Sequence, residues 1–282
     1  MVVFSFPETP WEPPFLEAIQ ARAHACGGTF HEARQVGGPR WEHFWKQTTV
    51  DLLLAVSWRY LVPAHVYRQA RRGSFVFHDS LLPRYRGFAP TVWAMLNGES
   101  ETGATLFAMT DEVDAGDIVD QQTVPIGPDD RIADTMEAVT LAYLDLLERN
   151  LSALLAGTAP RRPQTHAEAT YTCKRLPEDN RIDWHAPATR IHNLVRATTF
   201  PYPGAYTQFS GRRLRVWSTA RMPQARPYIG AIPGRVVEVH PGLGVVVLTG
   251  DTPLLVQQVQ LDGESVTCAA EILNRVGQTM GT

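Results

Sequence analysis

Short apolar runs alternate with stretches of helical spacing through the first 160 residues, and the texture then changes. Val2 to Phe6 is an apolar run of strand length, closed by the Pro-rich stretch Pro7 to Pro14. Phe15 to Cys26 has helical character and stops at Gly27-Gly28. Thr29 to Gln35 reads as a second strand and Trp41 to Gln47 as a short helix. Asp51 to Ser57 (DLLLAVS) holds a continuous apolar run, Leu52 to Val56, as a strand covered on both faces of a parallel sheet would. A helix over Val62 to Arg72 and a strand over Phe75 to His78 follow, then a loop rich in Pro and Gly as far as Pro90. Thr91 to Asn97 reads as a helix, and Ala104 to Thr110 and Ile118 to Val124 as strands. Ile132 to Ala156 is a long helix with apolar residues at Met136, Val139, Leu144, Leu147, Leu151 and Leu154. This alternation, with its short links, predicts an α/β fold: a Rossmann-like, doubly wound sheet.

Gly157 to Thr170 is polar and carries prolines, so it reads as a linker. Beyond it, a helix near Ala188 to Ala197 precedes the β-rich runs Arg213–Trp217, Arg235–Val239, Val245–Leu248 and Leu254–Leu261, with Gly or Pro turns between them. These runs predict a small C-terminal domain, a partly open β-barrel of the OB-like kind. The expected organisation is a catalytic domain over 1–160, a linker and helix over 161–200, and the β-barrel over 201–282.

Hydrophobic residues make up 44% of the 282 residues and charged residues 20%, ordinary for a globular chain. The net charge of -3 makes the whole molecule no electrostatic trap for nucleic acid. From Asn180 onward there are 10 Arg or Lys against 6 Asp or Glu, a balance of +4, and before it 16 against 23, a balance of -7. A mildly basic C-terminal part suits a phosphorylated ligand or is simply a solvated surface. Cys26, Cys173 and Cys268 are scattered and odd in number, which argues against a disulfide framework, and they offer no zinc spacing. The start MVVFSFPETPWEPP lacks the basic and apolar regions of a signal peptide, and no run of about 18 apolar residues spans a membrane. A cytoplasmic location is expected by elimination.

There is no GxxxxGK[ST] loop, no GxGxxG after the first strand and no GxSxG elbow, so ATP, NAD and serine-hydrolase readings lose their usual support. The segment His78 to Asp117 is what carries chemistry. It places a histidine at the C-terminal end of a predicted buried strand, where open α/β sheets bind ligands. A Pro/Gly-rich loop, a strand and an acidic run with Asp114 beside Gly116 follow. A carboxylate beside a histidine can orient the ring for acid–base work. A lone His and Asp in such places are also commonly a core histidine and a turn residue.

The surrounding string resembles the folate-dependent formyltransferase family, whose pattern is Asn-x-His-x-Ser-Leu-Leu-Pro, Tyr-Arg-Gly, Asn-Gly-Glu and Asp-x-Gly-Asp. In order and spacing, this chain has His78, Ser80-Leu81-Leu82-Pro83, Tyr85-Arg86-Gly87, Asn97-Gly98-Glu99, Thr102-Gly103 and Asp114-Ala115-Gly116-Asp117. Glu8-Thr9-Pro10 resembles the family's first loop, Arg181-Ile182-Asp183-Trp184 its inter-domain signature, and Pro201-Tyr202-Pro203-Gly204-Ala205 its entry to the C-terminal barrel. The resemblance implies N10-formyltetrahydrofolate as co-substrate, no metal, and transfer of its formyl group to an amine. It implies His78 and Asp114 as catalytic residues, with the folate held by Trp58, Arg59, Tyr60, Leu61, Ser80, Leu81, Asp111, Glu112 and Val113. Tyr85, Arg86, Lys174 and Arg175 would hold the acceptor.

The chain departs from the family at the Asn that would donate to the developing oxyanion: Val76 stands there. Strand alternation puts residues 76 and 78 on one face, and valine donates nothing. A substitute donor from Asp79, Ser80 or a main-chain amide, a hydrolase, and a non-catalytic folate or sugar binder all answer to that change. For the acceptor, methionyl-tRNA formyltransferase is the alternative to an enzyme acting on nucleotide-linked amino sugars. Phe30 to Asp51 carries only Arg34, Arg40 and Lys46 as basic residues, too few to clamp an acceptor stem. Trp58-Arg59-Tyr60-Leu61 and Cys173-Lys174-Arg175 resemble the amino-sugar branch, and Arg suits a diphosphate. The expected partner is a small-molecule amine, with no nucleic acid and no membrane; a homo-oligomer is compatible with this reading.

Overall fold

The computed structural model describes residues 1–9 and 12–281; Pro10, in the stretch resembling the family's first loop, lies outside them. In chain order the elements are β1 (Val2–Ser5), α1 (Leu16–Ala25), β2 (Thr29–Glu32), α2 (Glu42–Gln47), β3 (Leu53–Val56), α3 (Ala64–Tyr67) and β4 (Ser74–His78). There follow β5 (Arg86–Gly87), α4 (Pro90–Leu96), β6 (Glu101–Ala108), β7 (Ile118–Pro125), α5 (Ile132–Ala156) and β8 (Tyr171–Thr172). The chain ends with α6 (Ala188–Thr198), β9 (Ala205–Phe209), β10 (Arg212–Arg221), β11 (Val236–His240), β12 (Gly244–Val247), β13 (Leu254–Leu261), β14 (Thr267–Cys268) and α7 (Ala269–Ile272). Two compact units form, one of residues 1–90, 101–125 and 137–173, the other of 91–100, 126–136 and 174–282. Among the described residues no helix is long and apolar enough to cross a membrane.

The fold of the first unit is mixed α/β. β1 pairs in parallel with β2, and β3 with β4, each across a helical connection. β4–β6 and β6–β7 are antiparallel, so the sheet β3-β4-β6-β7 is mixed, where alternation alone suggested uniform winding. Residues 109–117 between β6 and β7 are the reason. They are fewer than the dozen or so that a parallel crossover needs.

On one face of this sheet Phe75, Phe77, Ala104, Leu106, Ala108 and Val124 pack against Val139, Ala142, Leu146 and Leu154 of α5. The side chains in between point the other way, because strand side chains alternate. There Val76 packs with Leu82, Phe107 and Ile118. Beside β1, Ala33, Val36, Trp41, Trp45 and Val66 form a separate aromatic-rich core, with Phe4 edge-on to Trp41 at 5.0 Å.

The second unit is built on an antiparallel sheet of order β11-β12-β13-β10-β9, with β14 on β13. Its core gathers Ile191 and Val195 of α6 with Leu214, Val216, Val236, Val245, Val247, Leu254, Val256 and Val259. Trp184 of the Arg181–Trp184 stretch is buried in it and donates from Nε1 to Thr207 Oγ1 at 3.0 Å. The strand path is open: among the described residues no pairing joins β9 to β11, so no closed barrel forms. Register slips around Ser218 break the ladder between β10 and β13.

Candidate active site

The residues that the sequence analysis singled out start from β4. His78 is its last residue, 7% exposed, on the same face as Val76. Its Nε2 donates to the Tyr85 carbonyl at 2.9 Å, and its Nδ1 faces Asp114 Oδ2 at 3.8 Å, beyond hydrogen-bond reach. Fixing the proton on Nε2 leaves Nδ1 as the acceptor turned towards the carboxylate. Phe107 stands edge-on to the imidazole at 6.5 Å.

Asp114 arrives by a route that alternation did not suggest. Because β6 runs antiparallel to β4, with Ala108 opposite Phe75, its end lies beside the start of β4. The 109–117 loop must therefore reach back along the sheet to bring Asp114 to His78. Asp114 sits there in the left-handed region at φ 53°, sparsely populated for a residue with a Cβ. Its Oδ2 accepts the Gly87 N–H at 2.8 Å. Gly116 has to be glycine, since a Cβ there would lie 1.8 Å from the Ala108 carbonyl oxygen.

Burial, with the nearby carboxylates of Asp79 and Asp114 adding to it, holds the Tyr143 phenol well above its ordinary value. The Tyr143 ring packs 5.4 Å from that of Phe77, on the α5 face of the sheet. Ser80 is buried and its hydroxyl donates to the Arg84 carbonyl at 2.7 Å, so that donor is already engaged. Thr105, opposite His78 on β6, donates to the Ser80 carbonyl at 2.6 Å, which fixes the turn after the histidine. Leu81 lies over Gly103, where a Cβ would come within 2.4 Å of its methyl.

Trp58 is edge-on to Phe6 at 5.3 Å, and its Nε1 is buried with no hydrogen-bond partner among the described residues. Arg59 lies over the Phe6 ring at 5.4 Å and forms an ion pair with Glu12, which also accepts from the Thr9 hydroxyl at 2.7 Å. Burial works against the Glu12 charge, but hydrogen bonds from Arg59 and Thr9 hold its carboxyl down at about 2. Tyr60 (37%), Leu61 (79%) and Val113 (51%) are exposed. Asp111 accepts from the Tyr67 hydroxyl and pairs with Arg68, and the exposed Glu112 stands 3.6 Å from Arg86.

Tyr85 contributes its carbonyl to His78, whereas Arg86 is wholly buried and turned into the fold. Lys174 and Arg175 belong to the second unit. There Lys174 is exposed, while Arg175 lies over the Trp93 ring at 5.1 Å and donates to Asn180 Oδ1 at 2.7 Å.

Gln164, inside the segment that reads as a linker, is the residue sequence reasoning missed. It is 5% exposed and donates from Nε2 to the carbonyls of Asp114 at 2.9 Å and Gly116 at 2.7 Å. A single Gln in a polar, proline-bearing stretch leaves no periodic or motif signal; its role exists only once β8 has paired with β5.

Set against known proteins, residues 12–148 match the family described as formyl transferase, and residues 175–277 match the formyl transferase C-terminal domain. Among solved structures, HypX from Aquifex aeolicus in complex with tetrahydrofolic acid is similar with a TM-score of 0.66 at 19% identity, over 96% of this chain and 46% of that one. This chain thus spans about half the length of HypX. An N-formyltransferase from Helicobacter canadensis, in complex with folinic acid and dTDP-3-aminofucose, is similar with a TM-score of 0.64 at 18% identity, over 84% of this chain and 81% of that one. Methionyl-tRNA formyltransferase from Clostridium thermocellum is similar with a TM-score of 0.60 at 18% identity, over 80% of this chain and 95% of that one. With both family domains in sequence around the His78–Asp114 pair, this chain belongs to the formyl transferase family.

Proposed function

We propose that the protein transfers a formyl group from N10-formyltetrahydrofolate to the amine of a small acceptor, with a nucleotide-linked amino sugar as the acceptor class. The observation that carries this reading is the His78–Asp114 pair, facing each other at 3.8 Å with Asp114 carried on the loop after β6. The residues present fit a folate. The unpartnered Trp58 Nε1 is a donor waiting for an acceptor, and Tyr60, Leu61 and Val113 expose apolar surface to a flat ring system. Trp58 to Leu61, Ser80, Leu81 and Asp111 to Val113 are the residues that would hold it. When bound, the folate supplies the formyl carbon as electrophile.

His78 takes up the amine proton at Nδ1, because Nε2 is committed to the Tyr85 carbonyl. Asp114, facing that nitrogen, stabilises the charge the ring then carries. The position-76 amide of the family is replaced by a valine packed on Leu82, Phe107 and Ile118. Main-chain amides after His78 are the donors left for the developing oxyanion, since Ser80 is engaged with the Arg84 carbonyl.

The amino-sugar acceptor draws support from the Helicobacter canadensis relative and from the segment between β2 and β3. Of its three basic residues, Arg40 lies over the Trp41 ring at 5.0 Å and Lys46 stands 3.7 Å from Glu42, which leaves Arg34. Little charge is left there for tRNA phosphates. Titration with 5-formyltetrahydrofolate is expected to saturate at about one site per chain, and formylation of a nucleotide-linked amino sugar is expected to exceed that of charged initiator tRNA. No binding at millimolar folate removes the donor assignment; efficient tRNA formylation reverses the acceptor assignment.

A further inference from the structure

Three consecutive residues run past both members of the candidate catalytic pair. The Tyr85 carbonyl accepts from His78 Nε2 at 2.9 Å, and the Gly87 N–H donates to Asp114 Oδ2 at 2.8 Å. Between them Arg86 is 0% exposed, although leaving water is costly for a guanidinium. Nε and Nη2 donate to Gln164 Oε1 at 3.2 and 2.6 Å, Nη1 donates to the Tyr171 hydroxyl at 3.1 Å, and Nη2 lies 3.2 Å from His166 Nδ1. The nearest opposite charge is the exposed Glu112 carboxylate at 3.6 Å. Gln164 passes the contact on, using both hydrogens of its amide on the Asp114 and Gly116 carbonyls. Asp114 is therefore held at its side chain from Gly87 and at its backbone from Gln164. Both attachments return to β5, and Tyr85, the residue before it, holds His78.

Such a brace answers a need set by the topology. The 109–117 loop reaches back along the sheet from the far end of β4, and it holds Asp114 at φ 53°. Nothing in the regular pairing of β6 and β7 fixes where that carboxylate comes to rest. A side-chain amide that supplies two donors to the loop and an acceptor to a buried fork does so with no hydrogen-bonding capacity left over. Replacing either end would leave buried polar groups unpaired, typically a cost of about 1–3 kcal/mol for each group.

We infer that Gln164 and Arg86 are positioning residues which set the separation of Asp114 from His78. Arg86 thus acts on the reaction from inside the fold rather than by touching the acceptor. This inference rests on the proposed transfer reaction for its consequence in turnover, but not for the brace itself.

The test therefore has two arms. Gln164→Met keeps the size of the side chain and removes both its donors and its acceptor. In the first arm, amide hydrogen exchange is followed in the full chain. Gln164→Met is expected to speed exchange at Ala115, Gly116 and Gly87 by at least ten-fold, with exchange in β13 of the second unit unchanged. Unchanged exchange at those three amides overturns the brace, whatever the protein catalyses.

In the second arm kcat and KM for the folate are measured. Gln164→Met is expected to lower kcat by roughly 10–100-fold, the range seen when an outer-shell partner of a functional ligand is lost, with KM for the folate within about two-fold. In an Asp114→Asn background the same substitution should change kcat by less than about two-fold, because a residue acting through Asp114 has nothing left to act on. Equal losses in both backgrounds, or no loss in an active wild type, overturn the positioning role. A wild type with no transfer activity refutes the transferase reading instead, and the exchange arm then decides the brace alone.

Discussion

Val76→Asn puts the family's amide back into this chain, and the structure sets what that does. Val76 is half-buried against Leu82, Phe107 and Ile118, two residues before His78 on the same face of β4. An amide there loses the valine's apolar contacts and meets few partners. An unsatisfied buried polar group typically costs about 1–3 kcal/mol, and each kcal/mol lowers the melting temperature of a chain near this size by about 2–4 °C. A drop of roughly 2–12 °C is therefore expected. Restoring a missing oxyanion donor would return about 10²–10³ in rate. In the proposed reaction main-chain amides after His78 fill that role, so kcat is expected to change less than ten-fold. The assay is tetrahydrofolate release at saturating amino sugar, alongside a thermal melt. A hundred-fold or larger gain for Val76→Asn would refute the idea that the hole is already filled.

Three further outcomes are expected. His78→Ala and Asp114→Ala should each lower kcat by about 10²–10⁴ with 5-formyltetrahydrofolate still bound, as read by parallel kinetics and titration; full activity in either variant removes that residue from the chemistry. Gly116→Ala forces a methyl to within 1.8 Å of the Ala108 carbonyl oxygen, so a loss of about 2–4 kcal/mol in denaturant unfolding and a fall in turnover are expected; unchanged stability would mean the loop after β6 lies elsewhere. Glu12, with its carboxyl held at about 2 against an ordinary 4.5, contributes stability fully above pH 4.5 that is lost as the pH falls towards 2. Arg59 is partly exposed, so the contribution is about 1 kcal/mol or less, and Glu12→Gln should be less stable than wild type at pH 7 by that amount, with the gap closing on acidification. A gap independent of pH would contradict the ion pair.

Sequence reading singled out His78 and Asp114, which the fold brings to face each other, because they are embedded in a long ordered motif, and it found α5 to the residue because periodicity persists over 25 positions. Which face of α5 is buried was not legible. Val139 and Leu154 are buried, as are Ala142 and Leu146, while Leu144 is 58% exposed and Leu151 38%. Two apolar stripes run along this helix, and only the sheet beneath it selects between them. β9 was passed over because Tyr206 and Gln208 alternate with Ala205 and Thr207, leaving too weak an apolar run to stand out. The antiparallel course of β6 and the bracing of Asp114 by Gln164 depend on pairings between residues 27 to 50 positions apart. No local pattern encodes contacts of that kind.

The central claim is that a formyl group leaves the folate only when an amine takes it. The direct measurement is tetrahydrofolate release from N10-formyltetrahydrofolate, recorded with and without a nucleotide-linked amino sugar, together with mass detection of the formylated sugar. Release is expected to depend on the sugar, with one formamide formed for each tetrahydrofolate and both lost in His78→Ala. Release at an equal rate with no amine present would make the protein a hydrolase, and saturable folate binding with neither release nor formamide would make it a binder; either result contradicts the account.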